Sequence, residues 1–125
     1  MNIFKDSATP LVRRLCLALA AVIIFQLFYL GSQPIAVGLI PEPWDKAAHF
    51  SVFGALTVLL WVGTAGRMPI TVVLATVALG ACDELHQVQL PGRTADLLDF
   101  LADVMGCTTA RTAIYLYART TIFNL

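Results

Sequence analysis

Charge is what this chain has least of. Only 13% of its 125 residues are charged, against 58% hydrophobic, and its mean hydropathy is +0.79. A soluble domain carries about 25% charged residues, so the shortfall argues against a small soluble bundle and for an integral membrane protein. Net charge is missing too, because eight basic residues balance eight acidic ones. The basic residues are scattered, with no stripe interleaved with aromatics, and leave no electrostatic footprint for nucleic acid. Cysteine is scarce: Cys16, Cys82 and Cys107 are odd in number and show no C-x-x-C or other metal-type spacing. Each lies in an apolar segment and reads as a small buried hydrophobe. Repeats and low-complexity stretches are lacking. At this length a single domain, 1–125, is the natural count.

What is present is a series of four apolar runs. The first, 11–30, is about as long as one bilayer crossing. Arg13 and Arg14 near its start invite comparison with a signal peptide, but residues 31–34 offer no convincing cleavage site, so an uncleaved helix is expected. Pro34, Pro41 and Pro43 mark a loop. Trp44 then precedes the second run, 47–63, at the depth where interfacial tryptophan belongs, and Asp45 is placed to cap it. Gly63, Gly66 and Pro69 break the chain around Arg67. The third run, 70–88, is clean until Asp83. Pro91-Gly92 is a turn dipeptide whose glycine can take positive φ. The fourth run, 94–117, is the weakest crossing, interrupted by Asp99, Asp103 and Arg111, with Tyr115 and Tyr117 suited to the far interface. The fold expected is all-α, a polytopic bundle of four transmembrane helices.

If all four cross, Lys5, Arg13, Arg14, Arg67 and Arg119 fall on one side. The positive-inside rule makes that side cytoplasmic, with both termini. Lys46 and Arg93 fall on the other side, each beside acids.

Four of the eight acidic residues lie within 83–99, and Asp103 follows one turn later. Ionisable groups beside a bilayer are costly unless they pair, hydrate or act. With this topology Asp45, Lys46 and His49 start the second helix, while Asp83, Glu84, His86 and Gln87 end the third. Arg93, Asp96, Asp99 and Asp103 open the fourth. Three separate stretches thus bring polar groups to one membrane face. Asp45 and His49 share a helix face, as do Glu84 and Gln87. Asp96, Asp99 and Asp103 line one stripe, which must face the bundle or a wet groove. Arg93 and Lys46 are the cations that could neutralise it, Arg93 in bidentate geometry. Read singly, several of these are mundane. His49 would be a hydrogen-bonded packing residue, Asp45 a cap, and Asp96 a complement to the helix dipole. His86 falls off the Glu84–Gln87 face. Glu84, Asp99 and Asp103 lie deeper and are harder to dismiss.

The pattern Asp45-Lys46-x-x-His49-Phe50-x-x-Phe53, followed by Glu84-x-x-Gln87-x-x-x-Pro91-Gly92-Arg93-x-x-Asp96-x-x-Asp99-x-x-x-Asp103-x-x-Gly106, resembles the VanZ-like membrane protein family over residues 44–110. The resemblance implies a small bacterial polytopic protein of the inner membrane. The name-giving members are linked to teicoplanin resistance, and the family fixes no reaction. Its characteristic positions match at Lys46, His49, Glu84, Gln87, Arg93, Asp96 and Asp99. Where the family commonly has Asn, this chain has Asp103, which adds an acid to the stripe.

Three functions are weighed. The first is a non-catalytic envelope protein whose outward groove, built from Lys46, His49, Glu84, Gln87, Arg93, Asp96, Asp99 and Asp103, binds a membrane lipid head group, a lipid-linked cell-wall precursor or another membrane protein. Arg93 and Lys46 would take its anionic group. The second is an intramembrane enzyme acting on a phosphate-linked lipid, with His49 as general acid or base and Glu84 or Asp99 orienting it. No metal or cofactor is assigned, because no metal-ligand spacing is present, although His and carboxylates would suit Zn or Mn. The third is an interaction subunit of a larger assembly, with Gly54, Ala75, Gly80 and Gly106 permitting close helix contacts.

Overall fold

A computed structural model describes residues 8–123, with side chains for 8–120. Lys5, one of the residues that set the expected orientation, lies outside them. Within the described residues the fold is all-helical: α1 (Pro10–Gly31), a short 3-10 turn (Pro34–Ala36), α2 (Trp44–Gly63), α3 (Pro69–Val88) and α4 (Leu97–Phe123).

Local chemistry accounts for the helix ends. Thr9 caps α1, its hydroxyl accepting from the Val12 amide at 3.3 Å, and Pro10 occupies the first turn, where a missing N–H costs nothing. Pro69 plays the same part in α3. Gly92 adopts φ +75° in the turn after α3, as its place behind Pro91 predicts. Asp96 then starts α4 from the N-cap position, its Oδ1 accepting from the Leu98 amide at 2.8 Å. The sequence put this helix at 94. It begins at Leu97 because the Asp96 side chain takes up a backbone donor of its first turn.

α1, α2 and α3 are each long and apolar enough to cross a membrane. α4 has 27 residues, more than enough length, but Asp99, Asp103 and Arg111 dilute its apolar character, as the sequence indicated. The outward-facing apolar side chains, among them Leu15, Leu19 and Val22 on α1, Leu74 on α3 and Met105 on α4, form the kind of surface a bilayer would cover.

Two helices make the central pairing. Lys46 meets Asp99, His49 meets Asp103, and the Cys107 thiol faces the Phe53 carbonyl, so α2 and α4 run parallel in constant register. Gly54 and Gly106 sit at their closest approach. A Cβ on Gly106 would collide with the Phe50 carbonyl oxygen and lie 3.1 Å from the Gly54 nitrogen. α3 runs antiparallel to both: Glu84 reaches Asp96 near one end, and Thr76 meets Thr57 at 3.2 Å further along. α1 packs on α2, with the Arg13 side chain donating to the Gly63 carbonyl at 3.4 Å. The buried core is Ala20, Phe53, Leu56 and Cys107. Of the three cysteines expected to be buried, only Cys107 is. Cys82 is exposed and Cys16 intermediate, because their positions on α3 and α1 turn away from the α2–α4 seam.

This topology puts the start of α2, the end of α3 and the start of α4 at one end of the bundle. Arg13, Arg14, Arg67 and Arg119 fall toward the other end.

Candidate functional site

Lys46 is the hub of the polar end. It stands in the first turn of α2, and its ammonium meets Asp99 Oδ1 at 2.9 Å, Asp45 Oδ2 at 3.0 Å and Asp96 Oδ2 at 3.1 Å. Glu42 lies at 3.6 Å, from the loop before α2. One cation therefore ties α2 to the N-terminal turn of α4 through two carboxylates. Asp96 lies outside the helices. The hydrogen bond from the Leu98 amide, helped by the Lys46 ammonium, holds its carboxyl below the usual carboxylate range.

One turn deeper, His49 Nδ1 lies 2.9 Å from Asp103 Oδ1, and Nε2 lies 3.7 Å from Asp99 Oδ2. The ring also stacks on Phe53 with centroids 6.4 Å apart. Asp103 is fully buried and sits over Gly80, where a Cβ would fall 2.8 Å from Oδ2. Only a residue without a side chain leaves α3 room for that carboxylate. Glu84 completes the deeper layer from α3. Its Oε2 accepts from the Asp96 amide at 2.8 Å, joining the end of α3 to the start of α4.

Asp83 and Gln87 occupy the neighbouring strip of α3, with the Gln87 amide donating to Asp83 Oδ2 at 3.1 Å. Both are buried. They line a cavity of about 510 Å³ between the helix ends and the loop that joins α1 to α2. Its wall is mixed. Asp45, His49, Asp83, Gln87, Arg93, Asp96 and Asp99 supply polar groups, while Leu27, Val37, Ile40, Val52 and Phe53 supply apolar ones. A pocket of this size with few, convergent polar groups on an apolar wall is the usual form of a small-ligand site.

The sequence-predicted residues divide accordingly. Lys46, His49, Asp96, Asp99 and Asp103 meet across the α2–α4 seam as one connected network, and Glu84 joins it through the Asp96 backbone. The three acids share a stripe that faces α2, as their spacing implied. Arg93 does something else. It donates to the Ala36 carbonyl at 3.0 Å, and among the described residues no acid lies within ion-pair distance of it. Lys46 meets Asp96 and Asp99 of the stripe and His49 meets Asp103, because the turn after α3 directs Arg93 back toward the α1–α2 loop. Asp45 is not the cap of α2. The helix has already begun at Trp44, and the Asp45 carboxylate accepts from the amide and ammonium of Lys46. Asp96 is the cap of α4 rather than a member of its first turn. His86 does lie off the polar face and packs its ring against Phe28 of α1, 5.3 Å between centroids. Asp83 was not among the expected ligand-binding residues. The signal for it was present in its four-residue spacing from Gln87, which places both on one face.

The residues carrying this geometry coincide with a recognised pattern. The VanZ/LLP1 family description matches residues 15–119. An uncharacterized protein of the fission yeast Schizosaccharomyces pombe is 35% identical over 111 residues, covering 85% of this chain. The chain spans 66% of that relative's length. No solved structure matches. The matched stretch contains most of α1, all of α2 and α3, nearly all of α4, and every residue of the polar network, so the chain belongs to the VanZ/LLP1 family.

Proposed function

We propose that this protein binds the polar head group of a membrane lipid, or of a lipid-linked precursor, in the cavity at the polar end of the bundle. The observation that carries this reading is the composition of the cavity wall, with a cation and several acids at the rim of an apolar recess between helices long enough to span a bilayer. Lys46 is fully engaged by its carboxylates, so Arg93 is the residue that meets an anionic group. Its guanidinium has five donors, and the Ala36 carbonyl uses one. Asp45, Asp83 and Asp99 face the same space and suit an ammonium or hydroxyl group. A head group carrying both phosphate and amine fits this pair of surfaces best. The arginines gathered at the opposite end favour placing that end in the cytoplasm and the cavity on the outer face. In a bacterial envelope such a protein would hold lipid or precursor where glycopeptides act, which is how a role in teicoplanin resistance would arise. The fungal relative favours a head group common to many membranes over one confined to bacterial walls.

The test is native mass spectrometry of detergent-solubilised protein offered phosphatidylethanolamine, phosphatidylglycerol or phosphatidylcholine. Preferential retention of phosphatidylethanolamine, weakened roughly tenfold by Arg93→Gln, a change on the order of one charge-assisted hydrogen bond, is the expected result. Equal retention of all three lipids by both proteins would refute it.

A second reading rests on one feature. His49 faces the cavity with a buried carboxylate on Nδ1, the arrangement that orients a general acid or base. Turnover of a phosphate-linked lipid by the wild type, abolished in His49→Ala, would establish catalysis. Lipid retention without turnover would leave binding as the function.

A further inference from the structure

The inner layer of the network poses a problem that ion pairing does not solve. Glu84 Oε1 and Asp103 Oδ2 are both buried and have no hydrogen-bond partner. Each belongs to a carboxylate whose other oxygen is already fixed, Glu84 Oε2 by the Asp96 amide at 2.8 Å and Asp103 Oδ1 by His49 Nδ1 at 2.9 Å. Both residues are more than nine-tenths buried. Two carboxylates within about 5 Å of each other, each with a buried oxygen that has no partner, are costly in a low-dielectric interior. Lys46, the nearest ammonium in the network, is held by Glu42, Asp45, Asp96 and Asp99 in the outer layer.

We propose that His49, Glu84 and Asp103 form a binding site for one divalent transition-metal ion of the zinc or manganese class. One ligand atom from each residue lies within 4.8 Å of the others, and each comes from a different helix. Ligands bound at about 2.1 Å to a common ion stand roughly 3–4 Å apart, so side-chain adjustment of at most about 1–2 Å closes the site. The 2.9 Å hydrogen bond between His49 Nδ1 and Asp103 already brings the imidazole and one carboxylate together, and an ion would replace the shared proton. One imidazole and two carboxylates are a donor set that suits Zn or Mn better than Ca or Mg, which favour all-oxygen shells. The outer contacts resemble those that orient metal ligands. The Asp96 amide fixes Glu84, the Phe53 ring supports His49, and Asp99, itself held by Lys46, stands 3.7 Å from His49 Nε2. Three protein ligands leave coordination positions for water or an exogenous group, and His49 is the ligand that also touches the cavity. The site does not depend on head-group binding, since Glu84 and Asp103 lie behind the cavity wall.

Full-length protein in detergent, stripped with a chelator and dialysed against zinc chloride or manganese chloride, tests this by elemental analysis and calorimetry. One ion per chain is expected. Glu84→Gln and Asp103→Asn, both nearly isosteric, should each weaken binding tenfold or more while helical content and elution volume stay unchanged. Cys82→Ser, which removes the exposed thiol, should leave binding unaltered. If both carboxamide variants fail to fold, pulsed electron paramagnetic resonance of the manganese-loaded wild type decides instead, and one imidazole nitrogen coupled to the ion is expected. Sub-stoichiometric metal, affinity unmoved by both variants, or a manganese spectrum without nitrogen coupling would overturn the proposal. The carboxylates would then share a proton. Because the measurement contains no added lipid, its failure leaves the head-group reading standing, and the reverse also holds.

Discussion

Replacing Gly106 with alanine should be the most damaging single-methyl change in the protein, whereas the same change at Gly54 should be nearly silent. The two glycines face each other across the α2–α4 seam, yet their surroundings differ. A Cβ on Gly54 would meet the Gly106 carbonyl oxygen at 3.4 Å, an ordinary contact. A Cβ on Gly106 would overlap the Phe50 carbonyl group, and backbone cannot rotate away as a side chain can. Heavy atoms in contact settle about 3.5–4.0 Å apart, so α2 and α4 would have to separate by about 1 Å. Overpacking of this kind costs about 1–3 kcal/mol, and the rigid neighbour puts Gly106→Ala at the upper end. Alanine regains about 1 kcal/mol of helix propensity at either site. The net expectation is a loss of about 2 kcal/mol for Gly106→Ala and a change of under about 1 kcal/mol, of either sign, for Gly54→Ala. A 1 Å separation would also lengthen the Lys46–Asp99 and His49–Asp103 contacts, both 2.9 Å, beyond hydrogen-bonding range. Reversible unfolding in mixed micelles, followed by circular dichroism, measures both. Equal losses at the two glycines, or a larger loss at Gly54, would refute the parallel α2–α4 packing described above.

Thr57→Val should cost about 0.6 kcal/mol, the average for an interhelical hydrogen bond in a membrane protein, since it removes the 3.2 Å contact with Thr76 but leaves Thr76 bonded to Val72 and Val73 carbonyls. A loss above about 2 kcal/mol in the same unfolding assay would mean the pair does more than join two helices. Asp96 sets a pH dependence. Its folded pKa is depressed below the unfolded value of about 3.9, so its contribution is complete above pH ~4 and fades as pH falls through the folded value. Asp96→Asn, which keeps a capping side chain but loses the charge beside Lys46, should make the fall of Tm between about pH 4 and 2 shallower. An unchanged slope would contradict the lowered Asp96 carboxyl that the Leu98 amide and Lys46 together produce.

Much of this was legible in the sequence, and the reasons are specific. Apolar run lengths gave the helices, because the bilayer leaves little freedom in the length of a span. The acids at 96, 99 and 103 gave their shared face, because helix geometry fixes which positions align. Pro91-Gly92 gave its turn, because only glycine takes φ +75° without strain. What escaped were the choices among partners. Arg93 and Lys46 were both candidates for neutralising the stripe, Arg93 with the better carboxylate geometry, yet the path of the α1–α2 loop, with the Ala36 carbonyl at 3.0 Å, draws Arg93 away from it. Asp45 was assigned a cap that α2 does not use, since the helix begins one residue earlier. The nearness of Gly80 to Asp103, and of Glu84 to both Asp103 and His49, depends on how three helices pack and leaves no trace in the spacing along any one of them.

The central claim is that separate helices deliver complementary charges to one recess, with Lys46 of α2 seated against Asp99 of α4. Exchanging the two charges tests it most directly. Lys46→Asp and Asp99→Lys, made singly, each place like charges together and should lower Tm and membrane accumulation sharply. The doubly exchanged protein should recover much of both, because Lys at position 99 would again meet Asp at position 46 with Asp45 and Asp96 alongside. A double exchange no better than the worse single variant would show that these residues do not meet, and the shared recess would not exist.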